Sequence, residues 1–405
     1  MPVEIRTPEE PEVPALFAAD GRGFGVVHAP DSPDRRRPTM DLSRFRIAVD
    51  AGAIVGVAGA FTLDVTVPGG AALPMGGVTW VSVAATHRRQ GLLRRLLTEV
   101  HADIDAREEP LAGLSASEGS IYGRFGYGVA SQMRRVAIDT RLAQLRDEVA
   151  PKPGSVRFLE AEEARAVVPE LWDRCRTQTV GETSRSPEWW DMAFADQSQG
   201  SDGFSAAFRL GHEDGYATYR IRTRWNEGAP AHELELVELC AATGEAHVAL
   251  WHTLLGIDLV GSIRSRRSVP LDDALPHLLQ NPRAVRTEGL DDNLWLRPHR
   301  PGTLLGARTY GTEDRLVLEV TSDAIDAPAT RWDVDGGPDG ATASRTRRRA
   351  DLSLDRAALG AISLGGVRPS VLARGRRISE GTSGALRRAD AFFAAERLPT
   401  SQNPF

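Results

Sequence analysis

The stretch Val81-Ser82-Val83-Ala84-Ala85-Thr86-His87-Arg88-Arg89-Gln90-Gly91-Leu92-Leu93-Arg94 joins a run of strand character to an apolar helical repeat through an arginine-rich turn holding one glycine. Spare N–H groups at a helix start and the positive end of its dipole converge at such a junction, which suits a diphosphate. Gly91 lets phosphate oxygens reach the backbone, Arg88, Arg89 and Arg94 add positive charge, and amides at Val81 and Val83 can pair with an extended ligand as an added strand would. A lone Arg-x-x-Gly is more often an ordinary helix start with exposed arginines, so the surroundings carry the argument. A second stretch, Ser115-Ala116-Ser117-Glu118-Gly119-Ser120-Ile121-Tyr122-Gly123-Arg124-Phe125-Gly126-Tyr127-Gly128, brings backbone close to something through its glycines. Its two tyrosines each offer a proton donor of high pKa, with aromatic packing the stronger reading for Tyr127.

These residues need elements to hold them. Val78–Val83 reads as a strand, and Leu92, Leu93, Leu96, Leu97, Val100 and Ile104 recur with helical period until Glu108-Glu109-Pro110. Before them, Phe45–Val49 and Ala53–Val57 flank Asp50-Ala51-Gly52 as a hairpin, and Thr7-Pro8-Glu9-Glu10 has the form of a capping box opening a first helix. Leu111–Ser115 and Met133–Ile138 complete a mixed α/β sheet. After Pro151–Ser155 the pattern repeats: strand 156–159, helix 161–175, strands near 204–210, 217–222 and 234–239, and helix 245–255. Ala241-Ala242-Thr243 echoes Ala84-Ala85-Thr86, which points to a duplication and sets Glu245 against Arg88 and Val248 against Gly91. A carboxylate there repels a diphosphate, so the second copy is expected to have lost the site. Beyond Pro298, short alternating strands precede helices at Arg356–Leu364, capped by Asp355, and Gly384–Ala395, a third α+β domain.

The bulk properties narrow the function classes. A chain of 405 residues exceeds one core, 41% of it is apolar, and no stretch has the length of a membrane span. Residues 1–6 lack a signal-peptide core, so a cytoplasmic protein is expected. Cys175 and Cys240 are the two cysteines, too few for a disulfide framework or thiolate metal site, and no His/Cys cluster has ligand spacing, so no metal is expected. A net charge of -6 speaks against nucleic acid and suits a small cationic substrate.

On these residues the chain resembles the GNAT superfamily, whose cofactor loop reads Q/R-x-x-G-x-G/A. Arg88-Arg89-Gln90-Gly91-Leu92-Leu93 follows it except for Leu93 at the final small position. With the Ser117–Gly128 segment, the Leu294-Trp295-Leu296-Arg297 strand, the Leu364-Gly365-Gly366 turn and a C-terminal phenylalanine, it is similar to the Eis (enhanced intracellular survival) acetyltransferases over its full length. The resemblance implies an α/β (α+β) architecture. An active GNAT domain (1–150) is followed by a degenerate second one (151–298) and a sterol-carrier-protein-like domain (299–405), assembled as a homohexamer. It implies acetyl-CoA as co-substrate, held by Val81, Ser82, Val83, Arg89, Gln90, Gly91, Leu92, Leu93, Arg94, Ser117 and Glu118. It assigns Tyr122 as general acid and the α-carboxylate of Phe405 as general base, with the tail 402–405 threading from the third domain into the first.

The expected reaction is direct transfer of acetyl to a primary amine of a polyamine or aminoglycoside. An α-carboxyl with a pKa of about 3.3–3.7 is a poor match to an ammonium, so Phe405 needs burial, a water relay or electrostatic attraction to serve. Pro404 stands where relatives carry an acidic residue, Ala85 where they tend to have proline, and the loop Gly21–Asp34 is rich in glycine and arginine. Two alternatives stand beside this reading: acetylation of protein lysines, which an open cleft favours, and a non-catalytic acyl-CoA or lipid-binding protein built around the third domain.

Overall fold

The computed structural model describes residues 3–197, 202–267, 269–321, 329–403 and 405. They fall into two compact units. One comprises residues up to Ala130, Leu294–Glu396 and Phe405; the other comprises Ser131–Asn293 and Arg397–Asn403.

In the first unit, strands β1 (Glu4–Arg6), β2 (Phe45–Asp50), β3 (Ala53–Thr66), β4 (Ala72–Val83), β5 (Leu111–Leu114) and β6 (Gly128–Val129) build a seven-stranded sheet with Trp295–Pro298 inserted between β5 and β6. The β2–β3 hairpin turns on Ala51 and Gly52, both at positive φ (46° and 81°), as a two-residue primed turn demands. β3 starts at Ala53 as expected but runs on past Val57 to Thr66, and β4 ends at Val83 as expected but starts at Ala72, ahead of Val78. Helix α1 (Val13–Phe24) covers β3 and β4. It starts after a 3-10 turn at Glu10–Glu12, where Glu12 accepts the Glu9 N–H at 2.8 Å, not at a Thr7 cap. Helix α2 (Leu92–Ala106) buries Leu92, Leu96, Leu97, Val100 and Ile104 against the sheet, the face its periodicity predicts.

The rest of this unit is a five-stranded sheet, Gly340–Arg345, Thr330–Gly337, Asp314–Val320, Leu352–Leu354 and Ile378–Glu380 in spatial order, covered by helices that include Arg356–Ile362 and Ala385–Phe392. Asp355 caps the first of these, accepting from Ala358 N–H at 2.7 Å. That helix lies so close to β6 and Trp295–Pro298 that a Cβ on Gly128 would stand 1.8 Å from the Ala357 carbonyl oxygen, and one on Gly360 2.1 Å from that of Leu296.

The second unit holds another seven-stranded sheet, in the order Val285–Asp292, Gln132–Asp139, Val260–Ser265, His232–Ala241 (β7), Gly215–Arg222, Phe208–His212 and Arg157–Phe158. Helix α3 (Gly244–Leu255) follows β7 as α2 follows β4. Each of these two seven-stranded sheets has one neighbouring parallel pair and is otherwise antiparallel, β4 with β5 and β7 with Val260–Ser265. The sheets do not divide at residues 150 and 298. Gln132–Asp139 pairs with Val285–Asp292 and Val260–Ser265 in the second sheet, and Trp295–Pro298 pairs with β5 and β6 in the first. Register partners decided this, and hydrophobic alternation within one strand carries no information about them.

Candidate active site

β4 and β5 run parallel only from Met75↔Leu111 to Gly77↔Gly113, and beyond that point β4 continues to Val83 without a neighbour on the β5 side. The cause is a bulge: Val57 pairs with Ser82 but Gly59 with Thr79, so Trp80 and Val81 face the single residue Ala58, and Trp80 sits at φ 56°. Trp80 is held there by edge-on contacts with Phe17 of α1 (4.7 Å between ring centres) and Phe45 of β2 (5.8 Å). Ala84 N–H bonds to Val55 O on the β3 side, so strand alternation turns the Val83 amide toward the opening. The bulge re-aims the chain immediately before Val81. Ser82 is buried, with Gly23 of α1 packed on it so closely that a Cβ there would lie 2.4 Å away; its side chain faces the helix, not the opening.

At the end of β4, residues 84–91 form the loop into α2. His87 pins it, bonding Asp50 on the β2–β3 turn at 3.1 Å through Nε2. Arg88, Arg89 and Gln90 are exposed, and Arg89 takes a left-handed φ of 64°. Gly91 is the N-cap of α2 at φ 77°, and a Cβ there would meet nothing within 4 Å. No side chain caps this helix. The N–H groups of Leu92, Leu93 and Arg94 precede the first intrahelical bond, from Arg95 N–H to Gly91 O, and so are left for an anion. Leu92 is buried and Leu93 half-buried, so their side chains serve the core while their backbone faces the opening. Ser117 and Glu118 follow β5 by a few residues and are exposed.

Tyr122 begins a short 3-10 turn, Tyr122–Phe125, and is buried in one cluster with Val78 of β4 and Leu114 of β5. Burial first, then the charge of Glu118, pushes its phenol up to about 12, so it stays a proton donor. Tyr127 stands edge-on to it at 6.0 Å but has its hydroxyl bonded to His101 Nε2 at 2.9 Å, a committed core partner. The Phe405 ring lies against Gly77, where a Cβ would come within 3.0 Å of it, at the last β4–β5 pair. α1 and the loop after it line an open cavity of about 490 Å³, bordered by Phe17, Val26, Val27 and Pro30 among others and by no carboxylate. Phe24, Val26 and Val27 are exposed there, Val27 at 97%.

Models of the acetyltransferase (GNAT) domain match residues 4–130 and again 181–298, and a sterol carrier protein domain model matches residues 302–401. N-acetyltransferase Eis of Mycobacterium tuberculosis (strain H37Ra) is 36% identical over 411 aligned residues that cover 98% of each chain. The chain belongs to the Eis family of N-acetyltransferases. An uncharacterized N-acetyltransferase of Streptomyces avermitilis is also 36% identical, over 93% of each chain. The crystal structure of Eis1 from Mycobacterium abscessus superposes with a TM-score of 0.88 at 32% identity, covering 99% of this chain and 100% of that one. A GCN5-related N-acetyltransferase from Anabaena variabilis shares the fold at 19% identity and a TM-score of 0.83.

Within this Eis-family chain the second GNAT domain departs from the first at the same junction. Only residues 242–243 separate β7 from α3, against residues 84–91 between β4 and α2. The loop itself is missing, so the expected pairing of Glu245 with Arg88 and of Val248 with Gly91 does not hold; both second-domain residues lie inside α3. Thr243 caps α3, accepting from Ala246 N–H at 3.2 Å, which occupies a donor that α2 leaves open. Four residues that shape the first site escaped the sequence: Trp80, His87, Asp50 and Gly77. Only Gly77, in the Gly76-Gly77 pair, carried a local signal. Cys175 and Cys240 are buried free thiols, and no His/Cys/Asp/Glu group among the described residues could hold a metal.

Proposed function

We propose that this N-acetyltransferase moves acetyl from acetyl-CoA to a primary amine of a polyamine or aminoglycoside-type substrate, with the chemistry confined to the first GNAT domain. The observation that carries the reading is the uncapped start of α2 behind Gly91, set at the end of a strand whose outer edge is open. Acetyl-CoA supplies the thioester carbon. The N–H groups of Leu92, Leu93 and Arg94 hold its diphosphate, with Arg89 and Gln90 beside them and Arg94 adding charge. Val81 and Val83 pair with the amides of its pantetheine arm, Ser82 contributes backbone alone, and Ser117 and Glu118 border the arm from the β5 side. A β4 N–H stabilises charge developing on the thioester oxygen. Tyr122 gives its proton to the departing sulfur, and the Phe405 carboxylate attracts the amine and takes its proton, directly or through one water.

The apolar cavity beside α1 favours an amine carried on an apolar body, which supports lysine in a peptide as a second class of acceptor. A homohexamer is the assembly proposed, to be measured by light scattering. No helix of the described residues is long and apolar enough to cross a membrane, and a cytoplasmic site of action is part of this reading. The test is thiol release from acetyl-CoA with a panel of aminoglycosides, polyamines and lysine peptides. Turnover on the first two classes supports the proposal; turnover on peptides alone shifts it to the second, and binding without release on any amine ends it.

A further inference from the structure

β7 of the second unit repeats the geometry of β4 at the place where β4 offers its amides. A bulge at Val237 separates Tyr219↔Leu236 from Thr218↔Glu238, and the parallel pairing with Val260–Ser265 stops at Leu236↔Ser265. Ala242 N–H bonds to Asp214 O, so alternation turns the Leu239 amide to the opposite, unpaired edge. That edge is filled by the chain itself. The Gln402 side chain accepts from Leu239 N–H at 3.3 Å and donates to Leu239 O at 2.9 Å, the two bonds an added strand or a ligand amide would make.

The flanking residues are held as firmly. Glu182, buried at 2% exposure, accepts from Ser401 Oγ (3.0 Å), Gln402 N–H (2.8 Å), Asn403 N–H (3.3 Å) and Thr183 N–H (3.1 Å). Asn403 donates to Thr183 Oγ1 at 2.8 Å and accepts from Arg185 Nε at 3.1 Å. Thr400 N–H reaches Val180 O at 2.9 Å, and Asn293 Nδ2 donates to Ser401 O at 2.9 Å.

We infer that the second GNAT domain has kept its strand-edge amide site and uses it to bind the chain's own segment 397–403 in place of a cofactor, with Gln402 as the surrogate amide and Glu182 as the clamp. Pro404 alone separates this segment from Phe405, so Gln402 and Glu182 are positioning residues for the terminal carboxylate; this second half rests on the role proposed for Phe405. A carboxylate two residues beyond an anchored position samples far less space than one nine residues beyond it, and loss of such placement costs up to about 10²-fold in rate.

The test uses the full chain with Gln402→Ala and, separately, Glu182→Gln. Hydrogen exchange of the 397–405 peptide, followed by mass spectrometry, is expected to quicken at least about tenfold in both. Turnover is expected to fall about 10- to 100-fold with KM for acetyl-CoA and the melting temperature of the first domain unchanged. Exchange as slow as in the parent in both variants overturns the docking. A third chain with one extra C-terminal residue separates the two readings. If the tail loosens and turnover holds while the extension abolishes it, the positioning role is overturned. If the extension also leaves turnover intact, it is the role of Phe405 that falls, and the docking stands on the exchange data.

Discussion

Gly91→Ala separates the use of a glycine for folding from its use for a ligand. At φ 77° an alanine pays the left-handed penalty of about 1–2 kcal/mol, partly offset by a stiffer unfolded chain. A Cβ there meets no protein atom within 4 Å, so no packing penalty is added and the melting temperature should fall by only a few degrees. The methyl group instead projects into the space that a diphosphate must enter to reach the N–H groups of α2. Losing one charge-assisted hydrogen bond costs about 1.5–3 kcal/mol, or about 10- to 100-fold in affinity. Gly244→Ala is the internal control. It stands at the first position of α3, again with open space at its Cβ, but without positive φ and behind a helix that Thr243 already caps. It should leave affinity unchanged and stabilise by up to about 1 kcal/mol. Calorimetric titration with acetyl-CoA beside thermal melts of both variants reads the two effects. A Kd for Gly91→Ala within twofold of the parent, or an equal loss in Gly244→Ala, refutes the assignment of the phosphate loop.

Three further outcomes follow from the same geometry. Tyr122→Phe should lower kcat by about 10²- to 10⁴-fold with KM for acetyl-CoA kept, and because the phenol titrates only at about 12, the parent should show no alkaline loss from this group below about pH 11; parental turnover in the variant removes Tyr122 from the chemistry. Gly128→Ala should cost about 1–3 kcal/mol or more, since its Cβ collides with the backbone carbonyl of Ala357, which no rotamer change can relieve; a neutral result by denaturant unfolding means that the helix Arg356–Ile362 is not seated on β6. His101 and His299 are both held below the ordinary histidine range, chiefly by burial, so the unfolded chain binds protons that the folded one refuses. Their contribution to stability is complete above about pH 6.5 and is lost as pH falls below it, at up to about 1.4 kcal/mol per pH unit for each. Unfolding measured from pH 8 to 5 should show this slope, and His101→Gln should reduce it; an unchanged slope in the variant contradicts the burial argument.

Much of this protein is written in short-range pattern. The apolar stripe of α2, the Asp50-Ala51-Gly52 turn and the Asp355 cap are each decided by residues within a turn or two of one another, so the elements they define could be read directly. The loop around Gly91 is local in the same sense: a glycine at a helix start behind arginines states its chemistry within a few residues. The capping box was misplaced from Glu9 and Glu12 to Thr7 and Glu10 because several acidic residues in a row fit the same motif.

Other features depend on partners far away in the chain. Gln132–Asp139 and Trp295–Pro298 took places in sheets that their order along the chain does not suggest, since a strand's alternation describes its two faces but not its neighbours. The bulge at Trp80 that parts β4 from β5 exists because Phe17 and Phe45 seat the indole. Nothing near Gln402 announces that its amide fills the edge of β7, because the groups that complete it, Leu239 and Glu182, lie more than 160 residues upstream. Chain chemistry within a helical turn is legible before folding. Pairing across the sheets is settled only when burial and backbone hydrogen bonding choose among many partners at once.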